Sequence, residues 1–508
     1  MKMKTKILII GILTFYCAFA NAQRIIYSEP DKDDSKKVDF EIIGKIGNNI
    51  QVYKNDRNNS SIVLYDENMK QIDKVNQDYI PEERLINLDV YPYSNHSYLF
   101  YQYQRRNVVY FMATKIDEHG KKVGEPMELD TTHLSFASNN KVYNSVTSED
   151  KSKFLIFKIN SRNRNNYLIT TILLDDKLST IKRSQLSIPM DERDDYLEEF
   201  KVDNAGNMVF TKFNRNNNDN ISAVSLVIKP PMSDSFIFQA VKLNKIYLDQ
   251  LFLKIDNFNS RYFLTSFTYT QRRGTIDGLY FYVWDNGNSK VTMEKSLTFG
   301  EELRNEARGN SSNRFAFDNY FIRNIIIKKN GGFLMGAESY YTTSRGNNFN
   351  RMDYLYGFPM FSPFDNYFYS PFGYGYNSLF WRSRDNNQLV RHHAENVAIL
   401  SFDNQGNLEW NNILKKEQFS DESDNTVSYQ LVNTGAALHF IFNQMEKRAI
   451  LLSDIMLEPG GVMNRNPSLK NIDKGYIFMP KYGKQVSAQQ VIIPCLYRNF
   501  ICFAKIEF

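Results

Sequence analysis

One kind of turn returns along this chain at intervals of roughly 50 residues, and that recurrence restricts the fold more than any other feature. It joins an apolar strand to a more polar one through an acidic or Gly/Pro-rich corner. It reads Leu64-Tyr-Asp-Glu-Asn, Lys115-Ile-Asp-Glu-His-Gly, Leu174-Asp-Asp-Lys, Ile228-Lys-Pro-Pro, Trp284-Asp-Asn-Gly, Phe402-Asp-Asn-Gln-Gly-Asn and Leu457-Glu-Pro-Gly-Gly. Asp, Asn and Gly suit such corners because they tolerate tight turns and positive φ. A second turn alternates with the first, at Ile46-Gly-Asn-Asn, Ser148-Glu-Asp-Lys, Asp203-Asn-Ala-Gly-Asn, Lys329-Asn-Gly-Gly and Asn433-Thr-Gly. With strands named A to D within a unit, the second turn is A–B and the first is C–D.

The segments between the turns are strands. Arg261-Tyr-Phe-Leu-Thr-Ser-Phe-Thr-Tyr and Ala437-Leu-His-Phe-Ile-Phe are short, aromatic and β-branched, and bounded by turn residues. Seven four-stranded units fit, at about 37–77, 85–128, 141–187, 196–241, 247–297, 319–414 and 427–467. Three more strands follow near 475–479, 488–496 and 499–507, and Arg24-Ile-Ile-Tyr-Ser-Glu supplies a fourth. An all-β propeller closed by strands from both ends leaves no long exposed edge. The expected fold is therefore an eight-bladed β-propeller over 23–508, with seven blades or another all-β arrangement as the alternatives. Phe402-Asp-Asn-Gln-Gly-Asn-Leu-Glu-Trp410 also resembles repeats in uncharacterised exported propeller-like proteins of Gram-negative bacteria. That resemblance implies a fold and no activity.

Residues 1–22 read as a secretory signal. Lys2, Lys4 and Lys6 precede an apolar run from Ile7 to Phe19, and Ala20-Asn-Ala22 offers a cleavage site before Gln23. Cys17 follows Thr14, Phe15 and Tyr16, too bulky for lipid attachment, so a lipoprotein is not expected. The chain is expected to be exported, periplasmic or extracellular, with no transmembrane segment after signal removal. Removing the three signal lysines takes the net charge from +5 to +2. That balance makes no electrostatic case for nucleic acid or an anionic membrane. Of the remaining cysteines, Cys495 and Cys502 would face each other across a hairpin turning at Arg498-Asn499, close enough for a disulfide; the alternative is two buried thiols.

In a four-stranded meander the B–C and D–A connections share one end of the ring. Here they are the longer ones, so function is expected on that face. Its B–C loops repeat arginine: Arg57, Arg105, Arg106, Arg162, Arg164, Arg215, Arg272 and Arg273. Guanidinium forks arranged around a rim suit carboxylate, sulfate or phosphate. Against this, the D–A segments carry acids that neutralise arginine, as in Asp191-Glu-Arg-Asp-Asp and Gly300-Glu-Glu.

A long insertion at about 342–393 interrupts strands B and C of the sixth unit. From Tyr340 to Trp381, 16 of 42 residues are aromatic, far above the 14% of the whole chain. Tyr354, Tyr356, Phe358, Tyr367, Tyr369, Tyr374, Tyr376 and Trp381 are the candidate docking rings. The alternative is a lid folding its rings onto the propeller.

No nucleophile elbow, zinc-protease, P-loop or dinucleotide motif occurs, and His392-His393 would point to opposite faces of a strand. No catalytic residue, metal or cofactor is assigned. The sequence favours a non-enzymatic binding or scaffold protein docking an envelope protein or glycan, anionic ligands among them. The alternative is a carbohydrate-active hydrolase or lyase with its site at the propeller channel.

Overall fold

The computed structural model describes residues 23–30, 39–56, 59–81, 84–134, 141–163, 165–191, 193–216, 219–308, 316–344, 349–356, 390–421, 423–446, 449–467, 475–498 and 500–508. Its strands form eight antiparallel sheets, the blades of an eight-bladed β-propeller. Blades 1 to 7 span 39–76, 85–133, 144–189, 195–241, 247–298, 320–420 and 429–465, each in sequence order from the innermost strand outwards. Blade 8 takes its three inner layers from 476–507 and its outermost strand, Arg24–Tyr27, from the other end of the chain. Arg24–Tyr27 runs antiparallel to Phe500–Glu507, with Arg24 opposite Glu507 and Tyr27 opposite Ala504. The innermost strand of blade 1, Asp39–Ile46, lies against Lys484–Ser487 of blade 8, so the ring is closed.

The middle strands read as unbroken apolar runs because each blade is covered on both faces by its neighbours. Gly278–Asp285 is buried at every position. The outermost strands are polar and exposed, as in Gln71–Asn76. Aromatic rings fill the wedges between blades: Phe333 stacks on Phe402 at 4.7 Å, and Phe281 meets both edge-on.

The recurring C–D turn has one dominant mechanism. In four blades an Asp carboxylate accepts the backbone N–H groups of the second and fourth residues after it: Asp66, Asp117, Asp175 and Asp403. The third residue after the Asp is left-handed. Gly120 and Gly406 adopt that conformation without strain, whereas Met69 and Leu178 hold φ of 58° and 64°.

The structure adds a helix that strand patterning did not reveal. Helix α1, Glu301–Arg308, forms the D–A connection between blades 5 and 6. Glu301 and Glu302 sit at its positive end, and Leu303 and Ala307 are buried. Arg304 fixes it by donating to the carbonyls of Phe299, Ile276 and Asp277.

Cys495 and Cys502 face each other as the hairpin register requires. Both are buried, with their Sγ atoms 2.9 Å apart. Burial pushes the Cys495 thiol well above its ordinary range. Among the described residues, no helix is long and apolar enough to cross a membrane, and no cluster of His, Cys, Asp and Glu is arranged to hold a metal.

Candidate functional site

The described arginines of the B–C connections divide by partner. Arg215 is buried, its guanidinium 4.4 Å above the Tyr196 ring. Arg272 and Arg273 are exposed but lie 3.6 and 4.0 Å from the Asp219 carboxylate, and Arg272 also covers Tyr247. Their neutralising acid comes from a B–C connection of the adjacent blade, not from the D–A segments. Arg105 and Arg106 differ. They stand exposed at the B–C turn of blade 2 and make no ion pair among the described residues. Beneath them Tyr103 stacks on Tyr110 at 5.2 Å, and Tyr101 continues the stack at 6.3 Å. Arg57 and Arg164 lie outside the described residues, as does the side chain of Arg162.

The described start of the insertion is bound to the ring. Helix α2, Arg351–Tyr356, follows the extended strand Phe333–Ser344. Arg351 reaches back to Asp249, which is fully buried where the innermost strand of blade 5 breaks between Leu248 and Phe252. The same carboxylate accepts the Tyr269 hydroxyl at 2.7 Å. Arg351 also donates to the Tyr320 carbonyl and lies 4.2 Å from the Phe321 ring. Tyr354 packs on Phe321 and Tyr340, at 4.8 and 5.0 Å, and so braces the anchor. Phe358, Tyr367, Tyr369, Tyr374, Tyr376, Trp381 and the Tyr356 side chain lie outside the described residues. His392 and His393 do point apart: one meets the Tyr340 hydroxyl, the other stacks on Tyr341.

A second candidate lies on the innermost strands, which border the central channel. Glu41 of blade 1, Asp89 of blade 2, Glu198 of blade 4 and Lys484 of blade 8 sit there, each half-buried. Burial pushes the Glu41 carboxyl up to about 7; Lys484 opposes the shift and Asp89 adds to it. Burial, then Glu199, push Glu198 up to about 8. Burial lowers the Lys484 ammonium. Asp89 has a different setting, accepting both Lys141 Nζ, at 3.0 and 3.2 Å, and Ser145 Oγ, at 3.1 Å. Two neighbouring carboxyls thus sit in unlike surroundings, and Glu41 keeps its proton to near neutrality. These residues escaped the sequence reading because they come from separate units. Aligning the first strands of the units was the available signal, since Glu41, Asp89 and Glu198 each interrupt an apolar run.

The fold is a β-propeller, but the B–C connections are not the longer ones the sequence suggests: strands B and C are only two residues apart in blades 1, 2, 3 and 7, and the long segments of that face are the D–A connections and the insertion. No protein family and no curated protein matches the chain. Among solved structures it is similar to an ulvan lyase, a polysaccharide lyase, at 9% identity over 83% of this chain and 94% of that one, with a TM-score of 0.37. It is similar to prolyl oligopeptidase B from Galerina marginata at 6% identity, over 92% of this chain and 56% of that one, with a TM-score of 0.40. Cobalt-substituted Synechocystis ACO gives 8% identity, over 96% and 94%, and a TM-score of 0.33. Likenesses this distant bring no activity to this chain.

Proposed function

We propose that the protein is an exported, non-enzymatic binding or scaffold propeller that docks a protein or glycan on its B–C/D–A face. The observation that carries this reading is the Arg105–Arg106 turn. It presents two guanidinium groups without acidic partners among the described residues, above a tyrosine stack. Planar cations beside aromatic faces suit an anionic glycan or an acidic protein surface. The anchored insertion supports the same face, because α2 fixes the point from which the aromatic segment departs.

Replacing both arginines by serine tests the reading with dextran sulfate as the probe. Binding should weaken by about tenfold or more, as the loss of two charge-assisted contacts implies, and should lose much of its salt dependence. Unchanged, salt-independent binding would remove the rim as a site.

A second reading has its own observation. Glu41 and Asp89, one holding a proton to near neutrality and one paired with Lys141, are the unlike carboxyls that acid–base chemistry uses. A carbohydrate-active hydrolase or lyase working in the channel would cleave a polysaccharide chain, and the same samples assayed for new chain ends report it.

A further inference from the structure

Two hollows open at the opposite end of the ring, among the A–B and C–D turns. The first, of about 300 Å³, lies between blades 5 and 6. Its wall holds Arg261 and Lys329, the amides of Asn259, Asn330 and Asn404, and the Thr292 hydroxyl, with no carboxylate among its lining residues. Arg261 Nε is buried without a hydrogen-bond partner. A charged donor left unmade in a protein wall is costly unless something else meets it.

The acids on the neighbouring strands do not hydrogen-bond it, although, after the hydrogen bonds from Asn288, the Arg261 charge helps to hold the Asp285 carboxyl below its ordinary range. Asp256 and Asp285 are the cross-strand neighbours of Arg261. Asp256 accepts the backbone N–H and side-chain amide of Asn259, and Asp285 those of Asn288. Neither forms an ion pair with Arg261 among the described residues. Lys329, exposed on its turn, likewise has none. Gly331, at φ +82°, carries the turn past the guanidinium; a Cβ there would lie 3.7 Å from Arg261 Nη1.

The second hollow, of about 610 Å³, shares Asn259 and Lys329 with the first. It extends from Glu149 of blade 3 to Asn433 of blade 7, and its lining sets Lys254, Lys328 and Lys329 against the carboxylates of Glu149 and Asp256. Phe258 stands in it 91% exposed, on a turn pinned by Asn257 donating to Glu149 at 2.8 Å. Standing beside amides, such a ring offers an apolar face to a flat, hydroxylated partner.

We propose that these joined hollows bind an acidic oligosaccharide, with one sugar ring on Phe258 and its carboxylate or sulfate on Arg261 and Lys329. The site is separate from the arginine rim and does not depend on it.

Calorimetric titration of the full chain tests it. The probes are tetragalacturonate, a chondroitin sulfate tetrasaccharide, cellotetraose and tetraglutamate, the first two separating a carboxylate ligand from a sulfate one. At least one acidic saccharide should bind, and Arg261→Gln and Lys329→Ala should each weaken it by about tenfold. Phe258→Ala should weaken it by about threefold or more. The Arg105→Ser/Arg106→Ser variant should bind it as the parent does. Lys329 and Phe258 are exposed, so these variants keep the test sound if Arg261→Gln fails to fold. Binding of neither acidic saccharide, or equal binding by the Lys329 and Phe258 variants, overturns the proposal. Tetraglutamate bound as tightly as the saccharides, without help from Phe258, overturns the saccharide assignment in favour of an acidic peptide.

Discussion

Deleting residues 23–28 should cost the protein about 3–5 kcal/mol of stability, the sum for three half-buried apolar side chains, and should make it prone to aggregate. The segment closes blade 8 from outside. Ile25 and Tyr27 pack toward the cluster shared with blade 7, and Tyr27 stacks on Tyr476 at 4.3 Å. Ile26 points the other way, into the cluster shared with blade 1. Ser28 finishes the seam, donating its N–H to the Phe503 carbonyl and accepting the Phe503 N–H on its hydroxyl. Without the segment, Phe500–Glu507 becomes a bare sheet edge able to pair with another copy. Since domains are commonly stable by only about 5–15 kcal/mol, the loss would be a large fraction of the total. Denaturant midpoints of the full and shortened chains measure it; a change below about 1 kcal/mol would mean the strand adds little.

Lys416→Met should destabilise by about 3 kcal/mol or more, because it removes one cation from a carboxylate that water cannot reach. Glu338 and Lys416 are both fully buried, their side chains 2.5 Å apart. Arg323 and Ser428 also donate to Glu338, and Gln418 accepts from Lys416 at 2.8 Å. Burial works against both charges. For Glu338 the two cations outweigh it and hold the carboxyl below its ordinary range, whereas burial prevails at Lys416 and lowers the ammonium. The sign follows for Glu338. A carboxyl whose folded pKa is depressed contributes stability that is fully present above the unfolded value of 4.5 and is lost as pH falls through the folded value. The double variant Glu338→Gln/Lys416→Met should recover much of the loss, and its stability should fall less than the parent's below pH 4.5. A single variant as stable as the parent would show that the network does not hold blade 6 to blade 7.

The ring was legible in the sequence because its signals are local. In four of the C–D turns an Asp acts on backbone only two and four residues away, so it marks a corner wherever it recurs. Even the strand supplied from the opposite terminus announced itself, since blade 8 lacked a partner for Phe500–Glu507. Helix α1 was hidden for the opposite reason. Only Leu303 and Ala307 of it are buried, too few to establish a helical period, and its place is fixed by Arg304 reaching carbonyls distant in the sequence. The recurrence of arginine was visible in composition, but its partners were not. Asp219 neutralises Arg272 and Arg273 from a neighbouring blade, which no spacing reveals. Tyr354 was read as a docking ring from the aromatic density around it, yet it faces Phe321 and Tyr340. The channel carboxyls are the furthest from view, because Glu41 and Lys484 meet only when the first and last blades do.

The closure of the ring is tested most directly by a cysteine pair at facing positions, Arg24→Cys with Glu507→Cys, in a chain whose Cys495 and Cys502 are alanine. Mild oxidation should give a monomeric disulfide-linked product, visible as a reduction-sensitive mobility change under denaturing conditions, at every protein concentration tried. Failure to link, or linkage only between separate molecules at high concentration, would contradict a propeller closed by its own two ends.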